Sequence, residues 1–173
     1  VVRFQEQKKR DSRPVVFLRC CLGHLHGIES VRDVVEGAAE IGIQYLTLYA
    51  FSTENWGRPK EEVDGLMGIL EDVIERELAE LDEQGVQIRH LGSLEQVASG
   101  LQKGIINAVE QTRNNDRLVL NVALNYGGRA EIVDAARRAI ASGISADDLD
   151  ERQFGNLLYT AGQPDPDLLI RTS

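Results

Sequence analysis

The stretch Tyr49-Ala-Phe-Ser-Thr-Glu-Asn-Trp-Gly-Arg-Pro59 decides how this chain is read. A strand-like run, Tyr45-Leu-Thr-Leu-Tyr-Ala50, leads into it, and a long amphipathic segment leaves it at Pro59. Strand, polar loop and helix form the unit of an open α/β sheet, where ligands bind just past the carboxyl ends of strands. A plain connection needs Gly, Pro and Asp. This loop instead sets Trp56, the only tryptophan, beside Asn55 and Arg58. A guanidinium can hold a phosphate or carboxylate with a planar fork of donors. Ser52, Thr53 and Asn55 add neutral hydrogen bonds, and Trp56 adds an apolar wall with one N–H. The chemistry suggested is an anionic, partly apolar ligand. A helix start accounts for part of the pattern: Pro59 suits the first helical position, and Glu61 and Glu62 suit a first turn.

The same alternation extends in both directions. Upstream, Val15–Leu18 is a short apolar run, and Ile28, Val31, Val34, Val35, Ala38 and Ile41 follow a helical period that ends at Gly42. Downstream of Pro59, Val63, Leu66, Met67, Leu70, Val73, Ile74, Leu78 and Leu81 form a one-sided stripe, most simply core. Gly85 closes that helix. Residues 86–91 then read as a strand, 94–112 as a helix, and 118–124 as a strand buried on both faces. Gly127-Gly128 permits unusual backbone angles and close approach, and a helix follows over 130–141. Asp147, Asp148, Asp150 and Glu151 read as the acidic start of a helix through Phe154 and Leu158. Leu168–Ile170 is a last strand. The fold class expected is α/β, with a mostly parallel central sheet and helices on both faces.

Four segments resemble the cis-prenyltransferase family, of which undecaprenyl diphosphate synthase is the bacterial type. They are the opening stretch, Gly23-His24-x-x-Gly27, Asn125-Tyr-Gly-Gly-Arg129, and Asp167-Leu-Leu-Ile-Arg171-Thr-Ser173. Order and rough spacing agree over residues 22–173, leaving 1–21 as an off-pattern basic segment. The resemblance implies condensation of isopentenyl diphosphate with an allylic diphosphate to give a cis-polyprenyl diphosphate. It makes Asn55 the candidate for the proton-removal step. A neutral amide is a poor base, so Asn55 is read as orienting the proton's route, with a diphosphate oxygen as acceptor. His24, Ser52, Thr53, Glu54, Trp56, Arg58 and Arg171 become substrate-binding candidates. A glutamate at the position of Glu62 is tied to substrate binding in the family, beside its reading as a first-turn acid.

The resemblance also implies Mg2+, a homodimer, and at most peripheral membrane contact through a lipid product. No magnesium ligand is assigned. The family's first strand ends in an Asp-Gly-Asn-Gly-Arg type loop, and no Asp-Gly pair precedes His24. The family also continues past Arg-Thr-Ser to a metal-binding glutamate. The expectation is therefore an impaired transferase. The alternative is a non-catalytic prenyl-diphosphate-binding protein or a silent subunit partner.

Composition narrows the class. The chain has 173 residues, 42% hydrophobic, 27% charged, with net charge −9, which suits one domain with a sizeable core. Residues 1–19 carry net +4 and the remainder −13, a weak basis for nucleic-acid binding. No apolar run reaches the ~18 residues of a membrane span. Cys20 and Cys21 are adjacent and cannot staple distant segments, so the expected setting is reducing and cytoplasmic. With His24 and His26 they form a crowded set that lacks the spaced pairs of a zinc site.

Overall fold

A computed structural model describes residues 15–19 and 26–171, with side chains over 31–170. Among the described residues five strands form one sheet: β1 (Val15–Arg19), β2 (Tyr45–Ser52), β3 (Val86–Leu91), β4 (Leu118–Tyr126) and β5 (Leu168–Arg171). Their spatial order is β3-β4-β2-β1-β5, and every pairing is parallel. Parallel neighbours need crossovers. These are supplied by α1 (His26–Glu40), α2 (Lys60–Glu83), α3 (Ser99–Gln111), α4 (Gly128–Ser142) and the short α5 (Glu151–Gly155). All carboxyl ends therefore lie along one edge of the sheet.

One sheet face carries Leu46, Leu48, Leu118 and Leu120, which pack with Val35 and Ala38 of α1. Nearer the carboxyl edge, Phe51 and Leu124 meet Val63, Met67 and Leu70 of α2 and Leu101 and Ile105 of α3. Each fully buried leucine or phenylalanine contributes about 1.5–3 kcal/mol. The opposite face carries Thr47 and Asn121, both buried. Asn121 donates to Thr47 Oγ1 (3.2 Å) and exchanges two bonds with Gln163 (2.7 and 3.0 Å). Ala135 and Ala139 of α4 are buried; side chains this small permit close packing.

The strand–helix alternation read from periodicity is present throughout, with corrections at the ends. Pro59 is the residue before α2, with φ −50° and ψ 138°, and its carbonyl accepts from Glu62 and Val63. The helix expected from residue 94 starts at Ser99, because residues 92–98 are drawn into the carboxyl edge. The two central strands run to Ser52 and Tyr126, two residues beyond the sequence reading. Asp150 caps α5 by accepting from Gln153 N–H at 2.6 Å, so the acidic run does begin a helix, but one that ends at Gly155 and includes Phe154 without reaching Leu158. No helix among the described residues is long and apolar enough to cross a membrane.

Candidate functional site

The site is built where β2 and β4 end. Along these strands the register runs Tyr49↔Ala123, Phe51↔Leu124 and Ser52↔Tyr126. Ala50 and Asn125 thus have no opposite number. Such irregularities re-aim side chains and are common beside functional sites. The chain then turns through a 3-10 helix, Thr53–Gly57. Asn55 Oδ1 accepts both the Ser52 N–H (2.8 Å) and the Ser52 hydroxyl (3.0 Å). With Oδ1 occupied, Nδ2 is the end of the Asn55 amide left to donate to a ligand.

The remaining loop residues divide into those turned inward and those turned to solvent. Trp56 donates its indole N–H to Asn125 Oδ1 at 2.7 Å, and its ring stands edge-on to Phe51 with centroids 5.1 Å apart. Glu54 is exposed. Bonds from its own backbone N–H and from Ser52, with Thr53 and the Arg129 charge behind them, hold its carboxyl below the usual range. The single Ser52 hydroxyl proton therefore has two acceptors, Asn55 and Glu54. Arg58 is half-exposed and paired with Glu62, Nη1 to Oε1, at 2.5 Å.

Asn125 is the residue that sequence reasoning passed over. Its φ of +50° lies in the left-handed region, which asparagine tolerates better than most residues. Its Nδ2 donates to the carbonyls of Ser93 (3.0 Å) and Glu95 (2.9 Å), while Oδ1 takes the Trp56 proton. One amide thus joins the exits of β2, β3 and β4. An asparagine at a strand end inside Asn-Tyr-Gly-Gly was the available signal. The glycine pair does not use the backbone freedom it permits: Gly127 has φ −150°, ordinary extended backbone, and neither glycine has a positive φ. Close approach does hold, since a Cβ on Gly127 would lie 2.4 Å from Thr53 Oγ1.

Behind the loop, Tyr49 donates its hydroxyl to the Tyr126 carbonyl at 3.1 Å. The Tyr126 hydroxyl in turn donates to Glu131 Oε2 (2.6 Å), whose Oε1 accepts from Tyr159 N–H (2.7 Å). Burial, then the Glu131 carboxylate, push the Tyr126 hydroxyl well above its ordinary pKa. Burial and the bond to Asp134 push Tyr159 up to about 12. Both phenols are donors at neutral pH, and they fix α4 and the segment before β5 to the site.

Beneath the loop lies an apolar cavity of about 130 Å³ between the sheet, α1 and α2. The α2 stripe divides over it. Val63 and Met67 are buried away from it, whereas Leu70, Val73, Ile74, Leu78 and Leu81 line the cavity, which reaches Tyr49 and Ala50 at the carboxyl edge.

Arg171 ends β5 in register with Arg19, which is in register with Tyr49. Two strand spacings of ~4.8 Å bring its backbone to the edge that carries Ser52. Its side chain lies outside the described residues, as do His24 and the Cys20-Cys21 pair. No group of three His, Cys, Asp or Glu among the described residues could hold a metal ion.

Comparison with known proteins now bears on this geometry. The family model described as "Putative undecaprenyl diphosphate synthase" matches residues 16–173. An isoprenyl transferase of Heliobacterium mobile is 50% identical over 155 residues, 87% of this chain and 60% of that protein. A ditrans,polycis-undecaprenyl-diphosphate synthase, (2E,6E)-farnesyl-diphosphate specific, of Micrococcus luteus is 44% identical over 87% of this chain and 62% of its own length. The chain thus spans about three-fifths of the length of these curated relatives. Among solved structures, lavandulyl diphosphate synthase from Lavandula x intermedia, in complex with dimethylallyl diphosphate, superposes with TM-score 0.83 at 32% identity. That match covers 91% of this chain and 77% of that one. The undecaprenyl diphosphate synthase assigned in Campylobacter jejuni gives TM-score 0.79 at 29% identity, covering 93% and 75%. With the family's model matched over residues 16–173 and solved structures superposing at TM-scores of 0.79 and 0.83, the chain belongs to the cis-prenyltransferases.

Proposed function

We propose that this chain carries the isopentenyl diphosphate site of a cis-prenyl transfer reaction and the start of the cavity that receives the prenyl tail. One observation carries the reading: a polar loop bearing Asn55 and Arg58 stands at the sheet's carboxyl edge, directly beside an apolar cavity that begins at Tyr49 and Ala50. An amphiphile with a charged head and a hydrocarbon tail fits that succession.

In the proposed reaction a C–C bond forms between C4 of isopentenyl diphosphate and C1 of an allylic diphosphate. The allylic C1–O bond breaks, and its electron pair leaves with diphosphate. A proton leaves C2 of the isopentenyl unit as the cis double bond forms. Arg58, Arg171 and His24 hold diphosphate oxygens; their fixed charges count most as negative charge grows on the leaving group. Ser52, Thr53 and Glu54 shape the pocket, and Trp56 holds the loop. Asn55 orients the proton's path through Nδ2, with a diphosphate oxygen as the base. Magnesium would enter with the substrate diphosphates, whose oxygens supply much of its shell in sites of this kind. Homodimer formation, cytoplasmic residence and an undecaprenyl-type product belong to the same proposal.

A second reading is a prenyl-diphosphate-binding protein or silent partner without turnover. It is favoured by the absence of an Asp-Gly pair before His24. Incubation with magnesium, farnesyl diphosphate and labelled isopentenyl diphosphate separates the two. Labelled polyprenyl product supports transfer; tight binding of either diphosphate without product supports the second. Binding of neither removes both.

A further inference from the structure

The apolar cavity is closed along one seam by charge. Arg32 of α1 reaches across to α2, with Nε and Nη2 on Glu77 Oε2 (3.0 and 2.6 Å) and Nη2 on Glu80 Oε2 (3.0 Å). Beside it, Gln84 Nε2 donates to Glu36 Oε1 at 3.4 Å. All five side chains line the cavity. We infer that Arg32 sets the length of apolar tail that this cavity admits. The inference rests on reading the cavity as a prenyl-tail site.

The volume of the cavity and the stiffness of its walls limit what it admits. An apolar cavity of ~150 Å³ takes a molecule the size of benzene. At about 130 Å³ this one has room for roughly one five-carbon unit, so each further unit must widen it. The floor is hydrogen-bonded sheet. The wall of α2 is backed by α3, because Val63, Met67 and Leu70 of α2 share one buried cluster with Leu101 and Ile105 of α3. That leaves α1 as the wall to move, and among the described side chains its polar ties to α2 are those of Arg32 and Glu36. Arg32 is the cation between three carboxylates, Glu36, Glu77 and Glu80. Without it, like charges face each other across the seam and favour its opening. Glu77 is only 15% exposed at its side chain, so solvent screens this pair less than a fully exposed one.

The test uses calorimetric titration of the whole chain with prenols of five, ten and fifteen carbons, and with the corresponding prenyl diphosphates. Arg32→Ala is expected to raise affinity for the fifteen-carbon alcohol about fivefold, the ratio that ~1 kcal/mol represents, and to leave the five-carbon alcohol unchanged. Glu77→Gln with Glu80→Gln removes the tie from the other side and should act alike. The reversed pair Arg32→Glu with Glu77→Arg should restore the original length profile. An unchanged ratio of fifteen- to five-carbon affinity in both folded variants overturns the inference. If the prenols respond as stated while no prenyl diphosphate binds, the role of Arg32 stands and the catalytic reading falls. If diphosphates bind with the same length profile in wild type and variants, the role of Arg32 falls and the catalytic reading stands.

Discussion

Trp56 and Asn125 are 69 positions apart, yet the indole N–H of one meets the side-chain oxygen of the other at 2.7 Å. Through this bond the loop after β2 is fastened to the end of β4, and the other end of the same amide fastens the loop after β3. Asn125 is 7% exposed, so water does not replace what a substitution removes. Leaving buried donors or acceptors unpaired costs ~1–3 kcal/mol each. Asn125→Leu should therefore destabilise the chain by about 3 kcal/mol in urea titration. It should also shift the emission of the sole tryptophan, because Trp56 loses its acceptor. Trp56→Phe keeps the ring against Phe51 and should cost less, ~1–2 kcal/mol. An unchanged emission spectrum in Asn125→Leu would show that the bond does not hold the indole in solution.

Gly127 gives a sterically sharper expectation. Its angles suit any residue, so an alanine there is not strained by its backbone; the obstacle is Thr53 Oγ1 at 2.4 Å from the new Cβ. Thr53 is β-branched and has few rotamers to retreat into. Gly127→Ala should displace the 3-10 turn, destabilise by about 1–3 kcal/mol as overpacking does, and weaken isopentenyl diphosphate binding. Adding Thr53→Ala removes Oγ1 and should restore most of the stability. Calorimetric melting of the three variants as a double-mutant cycle checks it; strictly additive effects would refute the contact.

These two sites mark the boundary of what was legible. Strand and helix positions were, because Leu46, Leu48, Leu118 and Leu120 or the α2 stripe announce their faces by period alone. Local chemistry was too: Asp150 caps its helix as an acid before Gln153 suggests. The failures are contacts made only in three dimensions. Pro59 takes the cap position because the preceding turn runs to Gly57 and leaves Arg58 extended. Residues 94–98 read as helical, yet Asn125 holds the carbonyls of Ser93 and Glu95 in the loop. Val73, Ile74, Leu78 and Leu81 have the pattern of core residues, and no pattern distinguishes a side chain facing another side chain from one facing a cavity. The pairing of Arg58 with Glu62 was available from i,i+4 spacing; the resemblance drew attention to each residue separately.

His90 supplies a pH dependence. Its Nε2–H donates to the Leu124 carbonyl at 3.0 Å, and the side chain lines the apolar cavity. Burial lowers its pKa from the ordinary 6.5, partly offset by that bond. The folded state thus disfavours the proton that the unfolded chain accepts. The stability contribution is complete above about pH 6.5. It is lost as pH falls from there through the lowered folded value, where the loss levels off. Melting temperature should therefore decline below about pH 6.5, and His90→Gln, which keeps a donor but cannot titrate, should flatten that decline. A variant and wild type that fall in parallel over this window would assign the acid sensitivity to other groups.

The last expectation concerns how Arg58 changes partners. Its guanidinium is paired with Glu62 at 2.5 Å, and both side chains are 48% exposed. Exposed i,i+4 pairs contribute only ~0.3–0.5 kcal/mol, so the pair is a resting place and not a structural support. A diphosphate brings more negative charge and more acceptor oxygens, and hydrogen bonds to charged groups contribute ~1.5–3 kcal/mol. Arg58 should therefore exchange Glu62 for the ligand. Arg58→Ala should leave urea stability within ~0.5 kcal/mol and weaken isopentenyl diphosphate binding about tenfold or more. Inorganic diphosphate should lose affinity by the same factor, because Arg58 reads the head group and not the tail. Glu62→Gln removes the competitor and should leave affinity unchanged or raise it by up to about threefold, an effect that shrinks as salt screens the exposed charge. Equal affinity before and after Arg58→Ala, measured by titration calorimetry on folded protein, would remove Arg58 from the site. A tenfold loss in Glu62→Gln would instead make the carboxylate a ligand contact in its own right.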